Sequence, residues 1–308
     1  MIELLKTSVD FGNTEIAFEA KSDLALRKAT WLFGMMNNPT LVKISSKMGL
    51  LSLKLHLPVE WLIKKTIFEQ FCGGTTLLNS QPTIDGLSEF GVQSILDYGA
   101  EGKESEKDFN RTMREIMAAI KFAGQNTHVP FVSVKITGLG RFALLEKFQG
   151  KEDLTAVEEK EFDNIIKRLD TVCHLAREHK TGVFVDAEES WIQDTIDYAV
   201  NMMMNRYNKE TPTVYNTFQL YRHDRLQFLK NSLALAKKGK YILGAKLVRG
   251  AYMDKERQRA REQKYPSPIQ PTKVASDNDY DLAVRFCVEN YEEIASCTAS
   301  HNAESCRK

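Results

Sequence analysis

The sequence predicts an α/β fold, most of a parallel (β/α)8 barrel preceded by a helical arm. Three observations predict it. From about residue 91, short β-branched or apolar runs alternate with amphipathic helical stretches. Crossovers of that length favour parallel neighbours. Polar residues close each run in turn, and a barrel gathers all such strand ends around one mouth.

The elements follow in order. Residues 1–90 read as a helical arm without a clear strand: SDLALRKATWLFGMM spaces its apolar residues three and four apart, and a further helix is expected from Pro58 in LPVEWLIKKTIFEQF, since proline suits a first turn. The apolar, lysine-interleaved segment Met48 to Phe71 reads as a helix packed on the main domain, with a membrane-surface helix as the alternative. Residues 91–308 form the second domain. Its expected strands are VQSILDYG (92–99), PFVSVKITG (130–138), TGVFVDAE (181–188), PTVYNTFQLY (212–221), YILGAKLVRG (241–250) and IASCTASHN (294–302). Helical patterns lie around 105–124, 153–179, 190–206, 223–238 and 277–291. An open nucleotide-binding sheet would announce itself with G-x-G-x-x-G after its first strand, and only the shorter GLGR (138–141) occurs. The expectation is therefore a TIM-type barrel missing its last two βα units.

Composition narrows the function. Of 308 residues, 43% are hydrophobic and 27% charged, ordinary for a globular chain with a sizeable core. A net charge of +1 gives no electrostatic reason to expect nucleic acid as a partner. Five scattered cysteines (Cys72, Cys173, Cys287, Cys297, Cys306) without a C-x-x-C pair argue for reduced thiols and against a zinc site. The opening MIELLKTSVDFGNTEIAFEAKSD has neither the basic start and apolar run of a signal peptide nor the acid-poor character of a transit peptide. A cytoplasmic protein, peripheral at the inner membrane face of a bacterium, is the matching expectation.

The strand ends supply the candidate site: Asp97, Lys135, Asp186 with Glu188, Gln219 with Tyr221, Lys246 with Arg249 and Tyr252, and His301 with Asn302. Each has a plain alternative. Lys135 is an ion-pair partner as readily as a ligand; Asp186 and the EES after it suit a helix cap; Gln219 satisfies backbone groups or reads the edge of a flavin or pterin ring. Lys246 and Arg249, three apart, lie on opposite faces if the strand runs through both, and Gly250 lets a phosphate approach the backbone. No metal triad, Ser–His–Asp arrangement or P-loop is present in the set.

SILDYGAEGK (94–103), FVSVKITGLG, FVDAEESW, TFQLYRHDRL, KLVRGAYMDKER and ASHNAES resemble, in that order, the signature blocks of the proline dehydrogenase family, and FCGGTT (71–76) resembles its lead into the barrel. The resemblance implies an FAD-dependent barrel that oxidises L-proline to 1-pyrroline-5-carboxylate and passes electrons to a membrane quinone. It implies that Lys135, Asp186 and Tyr252 serve the substrate. It implies FAD contacts from Asp186, Gln219, Lys246, Arg249, Gly250, Ala251, Ser300, His301 and Asn302. Lys246 stands where many relatives carry arginine, keeping the charge but not the forked donors. The family's R-R-x-x-E-N carboxylate clamp has no match in this sequence. Hydroxyproline as substrate, a Schiff-base barrel using Lys135 or Lys246, and an inactive fragment needing the missing segment are the competing expectations.

Overall fold

The computed structural model describes residues 10–55, 57–99 and 104–308. The last four residues of the SILDYGAEGK block (100–103) and positions 1–9 of the opening segment lie outside them. The chain divides into two compact units, Met1–Gln93 and Ser94–Lys308.

The described part of the first unit is helical. Its two longest helices are α1 (Asp23–Met36) and α2 (Pro39–Lys54). Ser22 caps α1 by accepting from Ala25 N–H. Proline opens a helix here at Pro39; the stretch expected from Pro58 begins at Glu60 and passes through a π-helical turn, Lys64–Phe68. A last helix, α3 (Leu77–Ser88), is capped by Thr76.

The second unit is a six-stranded parallel sheet in sequential order: β1 (Ile95–Asp97), β2 (Phe131–Val134), β3 (Gly182–Val185), β4 (Val214–Gln219), β5 (Leu243–Val248) and β6 (Ile294–Thr298). Sequential order in a parallel sheet is the order of an α/β barrel. β1 and β6 each pair with one neighbour. Every strand is shorter than the run that predicts it: each stops at its carboxyl end where the chain turns into the mouth loops, and all but β6 also start one to three residues late.

The crossovers are α4 (Glu106–Ala123), α5 (Phe142–Gln149) with α6 (Ala156–Glu178), α7 (Ser190–Tyr207), α8 (Arg225–Gly239), and α9 (Met253–Gln263) with α10 (Lys273–Glu289). A short α11 (Ala303–Arg307) follows β6. α4 buries Phe109, Ile116 and Ile120 at helical spacing, and a reciprocal capping box between Thr155 and Glu158 opens α6. The sequence pattern does not anticipate α5 or α9. α9, MDKERQRAREQ, has no apolar stripe and is held by tertiary polar contacts instead. Lys255 pairs with Glu189, Arg259 pairs with Glu146, and the buried Glu256 accepts from Ser190 N–H and Oγ at 2.6 Å each.

Inside the sheet, Phe131 and Phe184 stack at 4.2 Å, and the Tyr215 ring meets both edge-on at 5.3 Å. Gly244 makes room for this layer: a Cβ there would lie 2.2 Å from the Val214 carbonyl oxygen. Two residues further along the same strands, the two-residue period of the pleat places Ser133, Asp186, Thr217 and Lys246 on the same face above the rings. The site begins there.

Candidate active site

Asp186 follows β3 directly, and its N–H donates to the Val134 carbonyl at 2.9 Å, which fixes the carboxylate against the end of β2. Three side chains from two other strands converge on it. Lys246 Nζ of β5 donates to Oδ1 at 2.8 Å, Ser133 Oγ of β2 donates to Oδ1 at 2.9 Å, and Lys135 Nζ donates to Oδ2 at 3.1 Å. Lys135 also lies 3.7 Å from Asp97 Oδ2, at the end of β1. The Lys135, Asp186 and Lys246 side chains retain 17–18% exposure, so the cluster is sheltered but reachable from the mouth. Burial pushes the Asp186 carboxyl up; Lys246 and Lys135 together more than offset this and hold it below its ordinary value. The Lys246 ammonium also sits 5.1 Å above the Phe184 ring.

Gln219 is buried at the end of β4. Its Nε2 donates to the Glu188 carbonyl at 3.1 Å, and its Oε1 is buried with no hydrogen-bond partner among the described residues. Glu188 is 3% exposed, and its carboxylate accepts from Thr137 N–H at 3.1 Å and from Thr137 Oγ1.

The remaining candidates gather one strand further on. Arg249 leaves β5 on the opposite side from Lys246, as their spacing requires. Its guanidinium donates to Asp277 Oδ1 at 2.6 Å and to the Ser300 and Ser305 hydroxyls at 2.9 Å each, with its plane 4.3 Å from the Tyr280 ring. Gly250 has φ +140°, and a Cβ on it would meet the Tyr221 ring at 2.3 Å. Gly250, Ala251 and Tyr252 line a cleft of about 800 Å³ with Arg249, Lys255 and Lys273. Gly250 and Arg249 also border a second cleft, about 430 Å³, with Lys273, Ser300, His301 and Asn302. Asn302 Oδ1 caps α11, accepting from Glu304 and Ser305 N–H, so its side chain serves the fold.

The candidate residues thus form two groups. Lys135, Asp186, Lys246 and Gln219 sit at the barrel mouth; Arg249, Gly250, Ala251, Tyr252, Ser300, His301 and Asn302 form a basic, glycine-opened rim. The sequence reading of the site omitted Ser133, Thr137 and Asp277. Ser133 was available from alternation, two residues before Lys135 on the same face. The Thr137–Glu188 contact depends on the β2–β3 register, which no local pattern encodes. Among the described residues, no group of three His, Cys, Asp or Glu side chains is placed to hold a metal ion.

A sequential parallel sheet with charged and amide side chains at its carboxyl ends defines an α/β-barrel protein whose mouth suits a small charged organic ligand. The chain belongs to the proline dehydrogenase family, whose model matches residues 80–308. It is 29% identical over 312 residues to proline dehydrogenase 1, mitochondrial, of Dictyostelium discoideum, covering 87% of this chain and 54% of that protein. It is 27% identical over 326 residues to hydroxyproline dehydrogenase of Xenopus laevis, covering 94% of this chain and 70% of that protein. The chain therefore spans about half the length of the first and more of the second. Among solved structures it resembles proline utilization A from Bdellovibrio bacteriovorus inactivated by N-propargylglycine. That match has a TM-score of 0.69 and 21% identity, and covers 80% of this chain and 27% of the other. This likeness shows the fold, the α/β barrel.

Proposed function

We propose that this chain carries the barrel of an FAD-dependent oxidoreductase that converts L-proline to 1-pyrroline-5-carboxylate and passes the electrons to a membrane quinone, with the protein at the membrane face. The observation that carries the reading is the Lys135–Asp186–Lys246 cluster beside Gln219. Two features fit a flavin nucleotide. The partnerless buried Oε1 of Gln219 matches the polar edge of a flat heterocycle. The Gly250 backbone, bordering the smaller cleft with Arg249 and Lys273, matches a pyrophosphate. FAD supplies the hydride acceptor when bound.

The chain's own residues would then divide the work. The Lys135 and Lys246 ammonium groups, set beside the Asp186 and Asp97 carboxylates, offer paired charges of both signs at the mouth, which suits a substrate that carries an ammonium and a carboxylate. Lys135 and Asp186 line the substrate side, and Lys246 faces the ring. Tyr252, at the N-terminus of α9, would close the far wall. The Phe131–Phe184–Tyr215 layer beneath excludes water from below. Arg249, tied to Asp277, Ser300 and Ser305, would hold the rim on which Gly250, Ala251 and His301 meet the nucleotide. A Schiff-base barrel fits less well: its lysine is activated by an apolar pocket or a second cation, whereas both amines here are engaged by Asp186.

The test is the visible absorption spectrum of the purified chain, before and after anaerobic L-proline. A flavin band that bleaches establishes cofactor and reaction together. Flavin that bleaches with 4-hydroxyproline and not with proline moves the substrate to the hydroxylated imino acid. A protein that neither carries nor takes up flavin overturns the reading for this chain.

A further inference from the structure

Leu41, Ile44, Met48, Leu51 and Leu55 recur along α2 in alternating steps of three and four, the spacing that sets residues on one helical face. Leu55 lies one residue past the helix, and its N–H still donates to the Leu51 carbonyl at 2.9 Å, so it stays on that row. Such a row ordinarily faces a core, yet all five residues are 41–63% exposed. Beside the row, Lys43, Lys47 and Lys54 fall within about 40° of one another, at roughly 100° per residue. α2 has no acidic residue, and from Pro39 to Phe68 five lysines (Lys43, Lys47, Lys54, Lys64, Lys65) stand against a single acid, Glu60. Trp61 follows, 65% exposed, with the Lys65 ammonium 5.0 Å from its ring centre. We propose that this face of α2, together with Trp61, is a docking surface for an anionic lipid bilayer.

The chemistry of the face selects lipid. Leucine, isoleucine and methionine enter the acyl boundary, while the lysine stems follow them down and lift their ammonium groups to the lipid phosphates. A tryptophan beside a lysine suits the same interface, with an apolar ring below and polar groups above. The row is about 21 Å long, short of the roughly 30 Å hydrocarbon core. Among the described residues no helix is long and apolar enough to cross a membrane, so α2 lies flat in the headgroup layer. A row stepping by three and four is also the seam of a coiled coil. A second copy of α2, however, brings only serines and more lysines to the flanks, and gives the α2 lysines no counter-charge. A bilayer with acidic headgroups supplies that counter-charge along the whole face. The surface deepens the membrane location proposed above, on which it rests, and is independent of the flavin chemistry.

Flotation of the full chain with vesicles is the test. Phosphatidylcholine vesicles carrying about 30 mol% phosphatidylglycerol should bind the wild type about ten-fold more tightly than phosphatidylcholine alone. Raising the salt from about 0.1 M to about 0.5 M should remove most of that preference. Met48→Asp with Leu51→Asp should weaken binding to the anionic vesicles about ten-fold. Lys43→Gln, Lys47→Gln and Lys54→Gln together should bring the two vesicle types level. All five positions are exposed, and far-UV circular dichroism checks each variant's fold. The headgroup and salt comparisons use the wild type alone, so they decide even where a variant misfolds. A wild type that binds neither vesicle, or both equally, overturns the proposal, as does a Met48→Asp, Leu51→Asp variant that binds like the wild type. A wild-type dimer that this variant splits, with vesicles left unbound, gives the face to a second copy instead. Flavin that bleaches with L-proline in a chain no vesicle floats strikes the surface alone. A chain that floats with anionic vesicles and takes up no flavin upholds the surface and strikes the flavin reading.

Discussion

The Lys246 ammonium of β5 reaches across the sheet interior to the Asp186 carboxylate beyond β3 and meets it at 2.8 Å, passing over β4. Lys246 pairs in register with Thr217 of β4, so this contact is made by side chains of non-adjacent strands that share the inner face. Removing the carboxylate strips both sheltered ammonium groups of the partner they share.

Asp186→Ala is therefore expected to cost about 2–4 kcal/mol in chemical denaturation, below the full cost for a buried pair because the groups keep some water. The pH dependence has a definite sign. The folded carboxyl lies below its ordinary value of 3.8, so its contribution is fully present above that value and is lost as pH falls through the folded one. Urea midpoints measured from pH 6 to pH 2 should drop more steeply for the wild type than for Asp186→Asn.

Glu188 works in the opposite sense. Its folded value of about 7 lies above the ordinary 4.5, so the folded state keeps a proton that the unfolded chain releases. Stability from this group is complete below pH 4.5 and disappears as pH rises through about 7, roughly 3 kcal/mol in all. The flavin-free Glu188→Gln chain should lack this decline, and a wild-type urea midpoint that is flat between pH 5 and pH 8 would contradict it.

Gly250 should tolerate no side chain. Its φ of +140° and the Tyr221 ring 2.3 Å from a Cβ predict about 2–4 kcal/mol of destabilisation for Gly250→Ala. The ratio of bound flavin to protein, measured where the variant is still folded, should fall as well, because the rim and not only the fold is displaced.

A fourth expectation concerns the scaffold alone. Arg225 and Asp197 pair at 2.6 Å with 1% and 4% exposure, and Gln193 and Asn216 also donate to Asp197. Asp197→Ala should cost about 3–5 kcal/mol, and Asp197→Leu with Arg225→Met less than the sum of its single changes. A double-mutant cycle in urea checks both.

The helices called by amphipathic periodicity were legible. The pattern around 105–124 became α4, and those around 153–179 and 190–206 became α6 and α7 within a few residues. α5 and α9 were not: the first is eight residues long, and the second has no apolar face for a pattern to reveal. The strand ends were legible as places, since a polar residue closing an apolar run marks a carboxyl end. Their partners were not.

By itself the sequence determined the alternation of strand and helix, the inward parity of Ser133, Lys135, Asp186, Gln219 and Lys246, and the glycine at the rim. These depend on periods of two and 3.6 residues and on local backbone freedom, which neighbours in the chain set. Only the tertiary structure decided that Asp186 is shared by two lysines, that Thr137 closes on Glu188, and that Arg249 is committed to Asp277 and two serines. Those pairings span 28 to 60 residues and depend on strand register and helix docking, where a shift of one residue turns each side chain to the other face.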